Sequence, residues 1–197
     1  MSVSAPAVRF ACLLLILAGN AGASNLDLVT AARQQVGVTV VYDGSYRVLA
    51  YPGGDLPVER GVCTDVIVRA LRVARSLDLQ KLVHEDMVAH FQDYPSRRRW
   101  GLTRPDTNID HRRVPNLRVY FERAGFAKPV SAQAADYLPG DLVTWDLGGG
   151  IPHIGIISDR RAVTGAPLVI HNIGAGAREE DMLFRFKIIG HYRPGVP

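Results

Sequence analysis

Leu138-Pro139-Gly140-Asp141-Leu142-Val143-Thr144-Trp145 is followed by Gly148-Gly149-Gly150 and then by His153-Ile154-Gly155-Ile156-Ile157. Two apolar, β-branched runs bounded by Pro-Gly and by three consecutive glycines read as strand, turn, strand. Glycine supplies the positive φ that a tight reversal needs. The reading predicts strands over Asp141–Leu147 and His153–Ser158. Two further candidates, Leu168–Asn172 and Phe184–Tyr192, extend the same sheet.

Upstream, the apolar period changes from two to 3.6. Leu28, Val29, Ala32 and Val36 give a helix over Leu26–Val36, and Tyr42–Asp55 is a Gly, Pro and Tyr-rich loop. Val66, Ile67, Ala70, Leu71 and Ala74 form one stripe of a helix over Cys63–Leu77. Arg69, Arg72 and Arg75 fall on its other face, where solvated charge is expected. Asp78 is placed to cap a helix over Leu79–Phe91, with Leu79, Leu82, Val83 and Met87 inward. Tyr94–Pro115 is polar, basic and irregular. Asn116 caps a short helix over Leu117–Ala124, stopped at Gly125. Helices first and strands after is the α+β pattern.

Composition narrows the class. The chain has 197 residues, 47% apolar and 21% charged, with a formal charge of +4. These are globular values, and they exclude collagen-like, coiled-coil, mucin-like and disordered readings. At the N-terminus, Met1–Arg9 carries Arg9 as its one charged side chain, Phe10–Ala18 is apolar, and Ala21-Gly22-Ala23 is an A-x-A-like cleavage site. The pattern predicts a secretory signal peptide over residues 1–23 and a single domain over 24–197. The apolar run is short of the roughly 20 residues a membrane span takes, so no stable membrane anchor is expected after processing. The mature chain is then exported, periplasmic or secreted, and keeps one cysteine, Cys63.

Cys63 falls where a glycine-containing loop becomes a helix. Backbone N–H groups and the positive helix end stabilise a thiolate there, so a lowered thiol pKa is expected. A thiol nucleophile also needs a proton acceptor, usually a histidine oriented by a third polar group. His153 opens one strand and His171 closes the next, so a hairpin brings both toward one edge of the sheet. A buried, inert Cys63 and structural histidines are the alternative reading.

At these residues the chain resembles a known family. The PGDLVTW and HIGII runs resemble the corresponding segment of NlpC-type papain-like cysteine peptidases. GVCTDV, NIDHRR and VIHNIGAG resemble, more closely, a bacterial domain-of-unknown-function family (number 1287), over nearly the whole mature chain. The resemblance implies a papain-like core, with the Cys-bearing helix packed on a C-terminal antiparallel sheet. It implies Cys63 as nucleophile, His153 as general base, and His171 as the group that fixes the His153 tautomer. It also implies a tyrosine near the oxyanion, for which Tyr42, Tyr46 and Tyr51 are candidates.

Two positions depart from the NlpC pattern. The nucleophile segment is Cys-Thr-Asp rather than Cys-Ser-Gly, which brings Asp65 close to the thiol. An anion there disfavours thiolate unless it is paired or points away. Asn172 is an alternative third member, since papain-like sites also use Asn; strand alternation turns it away from the His171 face.

Arg97-Arg98-Arg99-Trp100 and His111-Arg112-Arg113 read as a solvated loop with salt bridges, or as holders of substrate carboxylates. Candidate substrate-binding residues are therefore Asp65, Tyr42, Tyr51, His111, Arg112 and Asn172, with Asp106 and Asp110 suited to a substrate loop. Other chemistries lack their motifs. His84-Glu85-Asp86-Met87-Val88 lacks the second histidine of a zinc helix, no C-x-x-C or G-x-S-x-G occurs, and Gly174-Ala175-Gly176 is no dinucleotide loop. No metal, cofactor or nucleic acid is expected.

The expectation is an exported, monomeric cysteine-dependent amide hydrolase, a peptidase or amidase, acting on cell-wall peptide of peptidoglycan. A non-catalytic wall-binding or interaction module of the same fold, and a thioester-based acyltransferase, are the alternatives.

Overall fold

A computed structural model describes residues 24–195. The expected signal peptide lies outside the described residues. Helix α1 (Asn25–Arg33) opens on Ser24, whose hydroxyl accepts the Asp27 N–H while the Asp27 carboxylate accepts the Ser24 N–H. This reciprocal cap satisfies two donors that a helix start leaves open. The helix is shorter than expected: Gln34–Val38 is a turn held by Val38 N–H to the Gln35 carbonyl. A two-residue parallel bridge follows, β1 (Val41–Tyr42) with β2 (Arg60–Gly61), and fixes the loop that leads into α2 (Cys63–Arg75).

α2 is the central helix. Val66, Ile67, Ala70 and Leu71 are buried against Ile154, Ile156 and Ile170 of the sheet, within one core that includes Cys63. Its arginine face is not solvated. Arg69 is buried and forks onto Asp55 at 2.8 and 2.8 Å, and Arg75 is buried against the Pro194 and Gly195 carbonyls at 2.8 and 2.6 Å. Guanidinium groups tie the Asp55 loop and the C-terminal segment onto the helix, so both faces of α2 are structural.

Helix α3 (Leu79–His90) starts at Asp78 as expected, and the Asp78 carboxylate accepts the Gln80 N–H. The stretch read as irregular contains α4 (Ser96–Trp100) and a tight turn over Asp110–Arg112. α5 (Val114–Arg123) begins before the expected cap at Asn116, because Pro115 fits a helical first turn. Asn116 is instead buried inside the helix, accepting from Ser96 Oγ at 3.1 Å and donating to the Asp110 carbonyl at 3.2 Å.

The second half is an antiparallel sheet of β3 (Ala127–Lys128), β4 (Leu142–Asp146), β5 (Pro152–Arg161), β6 (Pro167–Asn172), β7 (Ala177–Glu180) and β8 (Lys187–Tyr192). Its strand order is β3-β8-β4-β5-β6-β7. Helices and antiparallel sheet occupy separate halves of the chain, an α+β architecture. β7 escaped the sequence reading because Ala-Arg-Glu-Glu has no apolar alternation; pairing with β6 makes it a strand. The last strand is shorter than expected, since Met182–Arg185 is a turn.

Alternation gives the sheet two faces. Ile154, Ile156 and Ile170 face α2. Val143, Trp145, Ile157 and Val169 face a second core with Tyr137, Met182 and Leu183. Among the described residues, no helix is long and apolar enough to cross a membrane.

Candidate active site

Cys63 is the first residue of α2 and is 5% exposed. Burial pushes its thiol up to about 12, and the Asp65 charge adds to that, against backbone hydrogen bonds from Ile154, Thr64 and Cys63 itself. The expected thiolate is thus reversed: at the helix start, desolvation outweighs dipole and amide stabilisation. The Ile154 N–H ties the sulfur to β5 at the residue next to His153. No hydrogen bond joins Cys63 directly to His153 among the described residues.

Asp65 is paired. Its two oxygens take Arg112 Nε and Nη2, each at 3.0 Å, and Oδ2 also accepts the Val62 N–H at 2.7 Å. The carboxylate therefore closes the first turn of α2 and is buried beneath the site. Arg112, read as a loop cation, is likewise buried, donating further to the Asp43 and Ser45 carbonyls at 2.7 and 3.1 Å. His111 is 2% exposed rather than in a surface loop, and burial pushes its imidazole down to about 4.

His153 and His171 meet. His153 Nε2 lies 2.9 Å from His171 Nδ1, with the rings edge to face at 5.1 Å. Both are buried on the Trp145 face of the sheet; the His153 ring is 5.9 Å from Trp145. Gly155 makes the approach possible, since a Cβ there would stand 2.6 Å from Val169 Cγ1 and 3.1 Å from His171 Cβ. Burial, then the neighbouring His171, pushes His153 down to about 3. Its Nδ1 has no hydrogen-bond partner among the described residues.

On the far side of His171, Glu180 Oε2 stands 3.3 Å from Nε2, and Arg178 Nη1 is 3.6 Å from the other Glu180 oxygen. Burial lowers the His171 pKa and the Glu180 charge opposes that shift. Glu180 lies on β7, the strand without an apolar pattern, so no sequence signal pointed to it. Asn172 faces the opposite way, donating to the Gly61 carbonyl at 3.1 Å and bracing the loop before Cys63.

A cavity of about 240 Å³ opens over the thiol, lined among others by Tyr42, Val62, Cys63, Trp100, Arg113 and Pro152. Tyr42 is the candidate tyrosine found there, and burial, then Cys63 and Asp65, raise its phenol pKa. Tyr46 is engaged with Asp106 at 3.1 Å, and Tyr51 lies against His84 with ring centroids 5.2 Å apart. Among the described residues, no group of three or more His, Cys, Asp or Glu side chains is gathered to hold a metal ion.

Residues 29–194 match the family described as Domain of unknown function (DUF1287). The chain belongs to that family. The DUF1287 match spans Cys63, the histidine pair, Glu180 and the cavity. A relative named "Uncharacterized protein YijF", from Escherichia coli (strain K12), is 56% identical over 170 residues, covering 86% of this chain and 82% of its own length.

Proposed function

We propose that this DUF1287 chain is a cysteine-dependent amide hydrolase with a papain-like, NlpC-type core. The observations that carry the reading are the buried His153–His171 pair on β5 and β6, and a helix-start Cys63 that opens on a cavity and takes the N–H of Ile154, the residue after His153. His191, in the same sheet, has both ring nitrogens placed on oxygens. His153 keeps Nδ1 without such a partner, the arrangement a general base needs.

In this proposal the resting pair is neutral thiol and neutral imidazole, in line with the upward shift at Cys63 and the downward shift at His153. Attack of Cys63 Sγ on the substrate carbonyl forms the S–C bond while the thiol proton passes to His153 Nδ1. His171 Nδ1 accepts a hydrogen bond from the His153 Nε2–H and stabilises the imidazolium; the Glu180 charge, 3.3 Å from His171 Nε2, favours the tautomer that keeps Nδ1 free. The Cys63 N–H and the Tyr42 hydroxyl are suited to the developing oxyanion. Collapse breaks the C–N bond, His153 gives its proton to the leaving amine, and water, deprotonated by His153, releases the acid from the thioester.

The leader-like N-terminus supports a substrate outside the cytoplasm, and cell-wall peptide is the amide polymer proposed there. Incubation of the purified protein with peptidoglycan, read by mass spectrometry, is expected to release fragments. Equal, unreleased material with wild type and Cys63→Ala would overturn the hydrolase reading for that substrate.

A second reading, a non-catalytic wall-binding module, is favoured by one observation: the thiol is buried and pushed up to about 12. Under that reading Cys63 does not react with an alkylating reagent at neutral pH, and replacing His153 changes nothing.

A further inference from the structure

Most buried or half-buried guanidinium groups in this chain end on oxygens. Arg69 ends on Asp55, Arg112 on Asp65, Arg193 on Asp141, and Arg75 on two carbonyls. Arg113 differs. Its side chain is 19% exposed, and it donates no hydrogen bond among the described residues. Its Nη1 is sealed from solvent without an acceptor. The nearest carboxylate, Asp110 Oδ1, is 3.6 Å away, beyond hydrogen-bond range.

What holds Arg113 is Trp100. The guanidinium carbon lies 4.1 Å from the Trp100 ring centroid, within cation–π range. Stacking orients the planar fork while leaving its edge for a ligand. Both side chains line the Cys63 cavity, and the cavity wall contains Arg112 and Arg113 but no carboxylate. Arg112 is neutralised by a bidentate Asp65, while Arg113 has only the longer 3.6 Å ion-pair contact with Asp110 among the described residues, so it is the less compensated positive charge of the cavity wall. The geometry of that contact is loose: Asp110 Oδ2 is occupied by the Asp106 N–H, and Oδ1, 3.6 Å from Arg113, is shared with the Asn116 amide at 3.4 Å.

We propose that Arg113, stacked on Trp100, is a carboxylate-binding site in the Cys63 cleft. The ligand is then an amide or peptide with a free carboxylate close to the bond presented to Cys63. A planar carboxylate matches a single guanidinium fork, and the otherwise apolar lining suits an organic acid better than a naked inorganic ion. The part of the inference that concerns the scissile bond rests on the hydrolase reading; the binding site does not.

Two measurements separate the two claims. Trp100 is 36% exposed and Trp145 fully buried, so a ligand on Arg113 changes emission through Trp100. Titration of the purified protein with glutarate is expected to give a saturable change, with none for the neutral glutaramide. Arg113→Gln weakens glutarate at least tenfold, and Arg113→Lys, which keeps the charge and loses the fork, falls between. No saturable response, an equal response to glutaramide or inorganic phosphate, or equal affinity in Arg113→Gln would overturn the site.

The second measurement compares alkylation of Cys63 by iodoacetate and by iodoacetamide. In each the sulfur forms the new S–C bond and iodide leaves. The iodoacetate-to-iodoacetamide rate ratio is expected to fall several-fold in Arg113→Gln, and an unchanged ratio counts against the site. If glutarate binds but Cys63 reacts with neither reagent, the carboxylate site stands and the hydrolase reading fails.

Discussion

His191 and His153 stand on β8 and β5, either side of β4, and each is 2% exposed. His191 is closed on both sides: Nδ1 is 3.1 Å from the Pro129 carbonyl and Nε2 is 2.8 Å from Asp141 Oδ2. Asp141, fully buried, also takes a bidentate Arg193 at 2.7 and 2.7 Å and the Leu138 N–H at 2.8 Å. Burial alone would raise the Asp141 pKa, but Arg193 and His191 hold it below the usual carboxylate range. His153 is bonded to another imidazole and leaves Nδ1 open. A histidine with every valence answered staples strands; one paired on a single side keeps a nitrogen for chemistry.

The sharpest way to break this contrast is to exchange the costs. His153→Ala is expected to slow Cys63 alkylation in the folded fraction at least ~100-fold, the scale of a lost general base, with a stability loss smaller than that of a broken ion network. Asp141→Asn is expected to do the reverse. Removing one partner of a buried ion network costs about 3–5 kcal/mol, read by urea denaturation, while alkylation of the folded fraction keeps its rate. If His153→Ala unfolds the chain and Asp141→Asn abolishes reactivity, the roles have been assigned the wrong way round.

Gly155→Ala tests the geometry between the two sites. Its new methyl collides with Val169 and His171, so a loss of about 1–3 kcal/mol is expected together with slower alkylation. Glu180→Gln is milder. It keeps the size and removes the charge beside His171, and about a tenfold loss in rate, near 1.4 kcal/mol, is expected, with a changed pH profile. Unchanged kinetics in Glu180→Gln would make Glu180 a bystander.

Stability against pH gives a further test. His153 and His111 have folded pKa values of about 3 and about 4, both below the 6.5 of an unperturbed imidazole. The unfolded chain then binds the extra protons, so stability is full above pH 6.5 and falls as pH drops toward 3–4. Asp110, raised from 3.8 to about 6, acts in the opposite sense between those values and offsets part of the loss. Urea midpoints from pH 7 to 4 should decline, and His111→Leu should flatten the decline if the variant folds.

Much of this is legible in the sequence. The β4–β5 hairpin follows from apolar runs around Gly148-Gly149-Gly150, and α2 from its stripe. Cys63, His153 and His171 stand out in the sequence by their positions at the ends of those elements. Long-range pairing was not legible. Arg69, Arg75 and Arg112 look like surface charge along the chain and become buried only because Asp55, the C-terminal carbonyls and Asp65 arrive from elsewhere. Glu180 was invisible because its strand borrows its order from β6, and the thiol shift because burial is a property of the packed state. The Asp141 of the PGD run shows the limit in the other direction: a motif residue at the heart of the sequence reading anchors β8, and touches neither the thiol nor the histidine pair.

The central claim is that His153 acts on Cys63. Its most direct test is the rate of Cys63 alkylation by iodoacetamide at pH 7, in wild type and His153→Ala, read by intact mass. The expected result is single labelling in wild type that slows at least ~100-fold without His153. Equal rates in the two proteins, or a Cys63 that stays unlabelled in both while the fold is intact, would contradict it.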